Sequence, residues 1–170
     1  GEKLQLRIIG SMALMLQADY LRGTKDGDIL DTAEVDLATR AELLVLAGKG
    51  TPLAGKHDMY LDIVPRGILL LPPDPRFHPV PGLNARLVRF EIEALDIVDV
   101  LVSKLKPYRS SDAADIKAMA QRGRIDPDRF RERFLAALDR FADGAKGAEK
   151  FHSIVANFHQ AQREHLFVEE

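Results

Sequence analysis

The apolar positions of this chain change their period near residue 94. Before that point short apolar runs alternate with glycine, proline and charged clusters, a pattern of strands interleaved with helices. Leu4 to Ile9 predicts a strand that closes at Gly10. Met12 to Leu16 then predicts a helix reaching about Tyr20, and Arg22-Gly23-Thr24 predicts a loop. Asp26 to Leu30 predicts a second strand with Gly27 as a weak point. Val35, Leu37, Leu43, Leu44 and Leu46 predict a helix over 33–47 with Gly48 as its C-terminal cap. Gly48 to Lys56 predicts a loop, Met59 to Val64 a buried strand ended by Pro65, and Ile68 to Leu71 a further strand. Five of the nine prolines fall between Pro72 and Gly82, which predicts an irregular excursion. Leu87 to Ile92 alternates as a half-buried strand does.

From Ala94 the apolar spacing is helical. Leu95 to Leu105 predicts one helix, interrupted by Pro107, and Asp112 to Ala120 a second. Asp126-Pro127 is a start signal, an acceptor side chain followed by proline at the first helical position. Phe130, Phe134, Leu135, Leu138 and Phe141 mark one apolar stripe beyond it. Gly144 and Gly147 separate that stripe from a last helix carrying Phe151, Ile154, Val155 and Phe158. The expected architecture is α+β: a mixed sheet flanked by helices in residues 1–93, and a helical portion in residues 94–170 packed on that core.

Composition narrows the function. The 170 residues are 46% hydrophobic and 29% charged, enough for a folded core. With 24 basic and 26 acidic side chains the formal net charge is −2, so bulk charge does not drive binding to a polyanion. The absence of cysteine excludes disulfides, a thiol nucleophile and thiolate metal sites. Apolar stretches such as Ile68 to Pro73 fall far short of the roughly 20 residues that span a bilayer. No signal peptide is recognisable before Leu4, so the expectation is a cytoplasmic protein without membrane partners.

Two segments carry chemistry. In Ile9-Gly10-Ser11-Met12 a strand runs through Gly-Ser into a helix, which places free backbone N–H groups and a hydroxyl where an anion binds. In Asp26-Gly27-Asp28 the carboxylates stand at i and i+2 of a strand and therefore share a face. Paired carboxylates repel unless a cation lies between them, and hard oxygen ligands suit Mg²⁺. Asp62 is a lone charge in the apolar run Tyr60-Leu61-Asp62-Ile63-Val64, where a carboxylate needs a reason to be. Asp58 is its rival, and pairing with a nearby Arg or Lys is its structural explanation.

Gly10-Ser11, a helix, and Asp26-x-Asp28 on the next strand resemble the nucleotidyltransferase superfamily related to DNA polymerase β. The wording from Arg22 to Asp28 is similar to a bacterial branch of uncharacterised and toxin–antitoxin-associated members that contains the AbiEii-like proteins. Lys104-Leu105-Lys106-Pro107-Tyr108-Arg109 and Asp112-x-x-Asp115 resemble later segments of that branch, so the likeness spans roughly Leu4 to Ile116. The resemblance implies a nucleotidyltransferase-like fold. It implies transfer of a nucleoside monophosphate from a nucleoside triphosphate, such as ATP, to a hydroxyl, with pyrophosphate leaving. Two Mg²⁺ ions would be held by Asp26, Asp28 and Asp62, with Asp62 helping to deprotonate the acceptor. Gly10 and Ser11 would bind the nucleotide, with Lys104 touching its triphosphate. Gly27 departs from the family pattern, which has an apolar residue between the two aspartates, and a glycine there holds the pair less firmly.

The acceptor stays open among tRNA, a protein hydroxyl and a small molecule. A cognate toxin or antitoxin is a further expected partner, and a catalytically silent, nucleotide-binding regulatory relative is the alternative. Lys104 has an equal reading as a solvated or snorkelling side chain. Asp112 reads first as a helix-start cap. Arg122, Arg124, Arg129, Arg131 and Arg133 read as a solvated helix face balanced by Asp126, Asp128 and Glu132; a third hypothesis makes them a nucleic-acid site. His152, His159 and His165 lack metal-site spacing and read as surface or interface side chains.

Overall fold

Leu6 and Ile8 are buried while Gln5 and Arg7 are half-buried, the alternation of a strand that buries one face fully. A computed structural model describes residues 1–142 and 148–166. Its Cα positions divide into two compact units, residues 1–68 with 77–95, and residues 69–76 with 96–170.

The first unit holds a five-stranded sheet in the order β3-β2-β1-β5-β4. Its strands are β1 (Leu4–Ile8), β2 (Asp26–Leu30), β3 (Tyr60–Val64), β4 (Phe77–Pro79) and β5 (Phe90–Leu95). β1 runs antiparallel to β2 and parallel to β5; β2 is parallel to β3, and β4 antiparallel to β5. Helices α1 (Gly10–Gln17), α2 (Leu37–Ala47), α3 (Pro52–His57) and α4 (Pro81–Asn84) complete the unit. Its core is formed by Leu6, Ile8, Ile9, Leu14, Ile29, Ile63, Ile92 and Leu95, all buried. The mixed α+β class is as the patterning predicts.

Several elements differ from the pattern. The last strand is Phe90–Leu95, not Leu87 to Ile92. The Asp96 carboxylate accepts from Val98 N–H at 3.0 Å and fixes the next helix start at Ile97, so Ala94 and Leu95 stay in the ladder. Ile68 to Leu71 forms no strand; a short 3-10 turn spans Arg66–Ile68, and Leu70 and Leu71 are buried in the second unit. α3 occupies the expected loop because Thr51 caps Ala54 N–H at 3.3 Å and Pro52 starts the helix. α2 begins at Leu37, four residues later than its apolar spacing implies, because the Asp36 carboxylate accepts from Thr39 N–H at 2.8 Å. Gly48 is its C-cap in extended conformation; a Cβ there would meet the Leu44 carbonyl oxygen at 2.3 Å.

The second unit is helical: α5 (Ile97–Lys104), α6 (Ser110–Gln121), α7 (Pro127–Ala142) and α8 (Ala148–Ala161). Gly144 and Gly147 lie outside the described residues. The aromatic stripe of α7 meets α8, where the Phe134 and Phe158 rings stack at 4.1 Å and Phe130 tilts against Phe158 at 5.5 Å. Each such ring contributes on the order of 1.5–3 kcal/mol by burial.

Two of the five arginines, Arg129 and Arg133 of α7, turn inward, which corrects the expectation of a solvated basic face for these two. Arg133 donates to both oxygens of Asp99 at 2.8 and 2.9 Å and to Asp74 at 3.1 Å. Arg129 reaches Asp96 at 3.0 Å. Arg122, Arg124 and Arg131 remain on the surface. Lys104 is also buried, 3.3 Å from Asp112 and 2.8 Å from Asp115, and is not a solvated side chain. Asp112 additionally accepts from Arg109 N–H at 2.8 Å, the capping role expected of it. Among the described residues no helix is long and apolar enough to cross a membrane.

Asp99 is fully buried, so removing its guanidinium partner strands a charge. Arg133→Met is expected to lower unfolding free energy by about 3–5 kcal/mol in urea titrations, with Asp99→Asn added in the same chain recovering part of it. A loss below about 1 kcal/mol would show that the pair does not anchor the helices.

Candidate active site

The carboxylates are placed by strand alternation. Gly27 and Ile29 point to one face of β2 and Asp26 and Asp28 to the other. A Cβ on buried Gly27 would stand 3.1 Å from Met12 Cε and from Leu61 Cδ2, so the Gly27 face is the one α1 covers. The glycine thus admits the side chain of α1, a physical reason for its departure from an apolar residue. β3 lies alongside in parallel register, with Asp26 opposite Tyr60 and Asp28 opposite Asp62. Cross-strand partners share a face, so Asp26, Asp28, Tyr60 and Asp62 project from the same side of the sheet. Neighbouring positions along and across such a sheet are about 7 and 5 Å apart. Asp26 and Asp62 are exposed and Asp28 is half-buried, as a site open to a substrate requires.

Gly10 closes one side of this patch. Antiparallel pairing sets Ile8 opposite Ile29 and gives a bond from Ile9 N–H to the Asp28 carbonyl at 3.0 Å. Gly10 then adopts φ of +66°, and a Cβ there would stand 3.0 Å from Asp28 Oδ2. Only glycine satisfies both the left-handed backbone and the approach of the carboxylate. The first turn of α1, with Ser11 next in line, therefore begins beside the Asp28 carboxylate.

Two side chains join the patch that sequence reasoning gave no role. The Asp26 carboxylate accepting from the Tyr60 hydroxyl raises that phenol above its ordinary pKa; slight desolvation and the negative charges of Asp26, Asp62 and Asp28 add to the effect. Tyr60 stands two residues before Asp62, a spacing that put it on the same face and was the available signal. Arg22 donates from Nη1 to Ser11 Oγ, a contact across a loop that no local spacing announces. Lys49 lies over the Tyr60 ring at 5.7 Å.

The rival Asp58 leaves the sheet. It ends α3 with φ of +48° and pairs with Lys25 at 3.3 Å on the surface. Asp62 stays on the strand, where its Oδ1 accepts from Ile63 N–H at 2.9 Å. Lys104, in the second unit, has its ammonium engaged by Asp112 and Asp115, an arrangement that accounts for it structurally.

The donor set suits magnesium by its chemistry. Mg²⁺ takes one or two carboxylates and fills its octahedron with water and phosphate oxygens, rather than needing an all-protein cage. Among the described residues no group of three or more aspartate, glutamate, histidine or cysteine side chains is placed so as to hold a metal ion. Same-face carboxylates beside a glycine turn match the open kind of site, in which substrate oxygens complete the coordination.

A sheet that sets carboxylates on one face, beside a Gly-Ser turn opening a helix, defines a candidate site for a metal-chelated phosphate ester. The chain belongs to a nucleotidyltransferase family: a family model described as "Nucleotidyltransferase of unknown function (DUF6036)" matches residues 1–166. No curated protein and no solved structure gives a significant match.

Two measurements check the geometry. Gly10→Ala should cost about 1–3 kcal/mol from its left-handed backbone alone and should displace the Asp28 carboxylate. Gly27→Ala should cost less in the same denaturation series, because only the flexible ends of Met12 and Leu61 must give. Equal losses would contradict the Gly10 contact. In a ¹³C-tyrosine NMR titration Tyr60 should ionise above the ordinary tyrosine range, and Asp26→Asn should bring it down. An unmoved Tyr60 resonance would mean that Asp26 lies elsewhere.

Proposed function

We propose that this chain moves a nucleoside monophosphate from a nucleoside triphosphate to an acceptor hydroxyl, releasing pyrophosphate, with magnesium held by Asp26, Asp28 and Asp62. The observation that carries the reading is the β2–β3 register, which sets Asp28 beside Asp62 on the face where Gly10 meets Asp28. Family membership supports the reaction class. The wording from Arg22 to Asp28 favours the AbiEii-like branch, with ATP a natural donor and a toxin–antitoxin partner a natural context.

Each residue has a task in this reading. Backbone N–H groups and the Ser11 hydroxyl at the start of α1 bind phosphate oxygens, helped by the positive end of the helix dipole. Gly10 lets that anion approach the backbone closely. Magnesium, when bound, neutralises phosphate charge and acidifies the acceptor hydroxyl. Asp62 takes the acceptor proton. The acceptor oxygen forms its bond to the α-phosphorus as the bond from that phosphorus to the bridging oxygen breaks, and pyrophosphate leaves. Tyr60 holds the Asp26 carboxylate by a hydrogen bond.

The test is incubation with labelled triphosphates, Mg²⁺ and acceptor candidates from the tRNA, protein and small-molecule classes. Asp28→Asn is expected to reduce transfer at least roughly hundredfold. Its melting temperature should stay level or rise, because carboxylate repulsion is relieved. Transfer by the variant at the parent rate would refute the assignment. Parent protein that binds Mg-triphosphate but transfers to none of these acceptors would favour the silent, regulatory alternative.

A further inference from the structure

The carboxylate face carries a hydroxyl of its own. Tyr60 opens β3 two residues before Asp62 and stands opposite Asp26 in the β2–β3 ladder. Alternation therefore sets its side chain on the face of Asp26, Asp28 and Asp62, and burial of Ile63 on the other face holds it there. Tyr60 is half-buried, so its ring is supported without being closed off from solvent.

The contacts of this phenol suit an acceptor alcohol. Its hydroxyl donates to the Asp26 carboxylate. A carboxylate already in hydrogen-bond contact can take the proton while the oxygen forms a new bond. The Lys49 ammonium lies over the ring, 5.7 Å from its centroid. A polyphosphate nearing a face of carboxylates is repelled, and a cation beside the attacking oxygen offsets that repulsion. The Thr24 hydroxyl, in the loop before β2, donates instead to the Asp26 carbonyl at 3.5 Å. A carbonyl oxygen does not take up a proton at neutral pH, so Thr24 lacks there the base that Tyr60 has.

We propose that Tyr60 is itself an acceptor of the transfer reaction, so that the chain places a nucleoside monophosphate on its own tyrosine. This inference rests on the nucleotide reading of the site and names an acceptor for it. The Tyr60 oxygen bonds to the α-phosphorus of a Mg-nucleoside triphosphate as the bond from that phosphorus to the bridging oxygen breaks. The phenol proton passes to Asp26, and pyrophosphate leaves. The product is a phosphodiester on Tyr60, with nothing oxidised or reduced. Because the adduct stays on the carboxylate face, it fills the place that the next triphosphate would take, and each chain is modified once.

Incubation of the full chain with Mg²⁺ and each of the four ribonucleoside triphosphates, read by intact mass and by tryptic peptide mapping, tests it. The mass should rise by one nucleoside monophosphate per chain with at least one of the four. The gain should lie in the peptide His57–Arg66, in which Tyr60 is the one hydroxyl side chain, and fragmentation should place it on Tyr60. Tyr60→Phe keeps the ring and should leave that peptide at its unmodified mass. Mapping the parent needs no variant, so the result stands whether or not Tyr60→Phe folds. The fraction modified at a fixed time should stay the same on about tenfold dilution of the protein, since nucleophile and site share one chain. Thermal midpoints with and without each Mg-triphosphate report binding separately. A raised midpoint with no adduct on Tyr60 would overturn the proposal and leave the nucleotide reading standing. An adduct on another residue alone, or a modified fraction that falls with dilution, would overturn it too. A parent whose midpoint none of the four triphosphates raises, and which gains no mass, would instead overturn the nucleotide reading, and the role of Tyr60 with it.

Discussion

The register between β2 and β3 is the constraint on which the site depends. Side chains alternate along a strand, so a slip of one residue would send every one of them to the opposite face. Burial decides against that slip. Ile29 and Ile63 are opposite one another and buried, and Gly27 lies opposite Leu61 under Met12. Holding these positions inward forces Asp26, Asp28, Tyr60 and Asp62 outward together. An apolar preference on one face thus sets the spacing of carboxylates on the other, with no interaction among the carboxylates needed to do so.

Acidic residues are treated differently in the two units. In the second, Asp99 and Asp115 are fully buried and each meets a cation at 2.8 Å, Arg133 and Lys104 respectively. Buried pairs of this kind fix helices relative to one another and leave little capacity for a ligand. In the first unit Asp26 and Asp62 face solvent and Asp28 is half-covered beside a glycine turn. Carboxylates kept at the sheet surface stay in contact with water instead of being closed into buried ion pairs. Lys104, in a segment that resembles a later part of the family, is buried between two carboxylates of the second unit, Asp112 and Asp115.

Much of this was legible from local pattern. The strand at Asp26–Leu30, the Gly-Ser entry to α1 and the helix start at Asp126-Pro127 follow from alternation, a glycine turn and a capping pair, each a signal carried by adjacent residues. Thr51-Pro52 carried the same capping signal as Asp126-Pro127, but the glycines around it read more strongly as loop. The start of β5 depends on pairing with β1 and its end on the Asp96 cap, so alternation at Leu87 misplaced it. Arg133 and Arg22 were illegible for a different reason. Their partners lie 34 and 11 residues away, and a run of arginines looks the same whether its members face water or a buried carboxylate. Pattern reports which residues can share a face; it does not report which charges close on each other.

The central claim is where a divalent cation binds. Titration of ¹⁵N-labelled protein with substoichiometric Mn²⁺, observed through paramagnetic broadening of backbone amides, locates it directly. The account predicts that the amides of Gly10, Ser11, Gly27, Asp28 and Asp62 broaden first and together, while those around Asp112 and Asp115 stay sharp. Early broadening around α6, with sharp signals at Gly10 and Asp28, would contradict it.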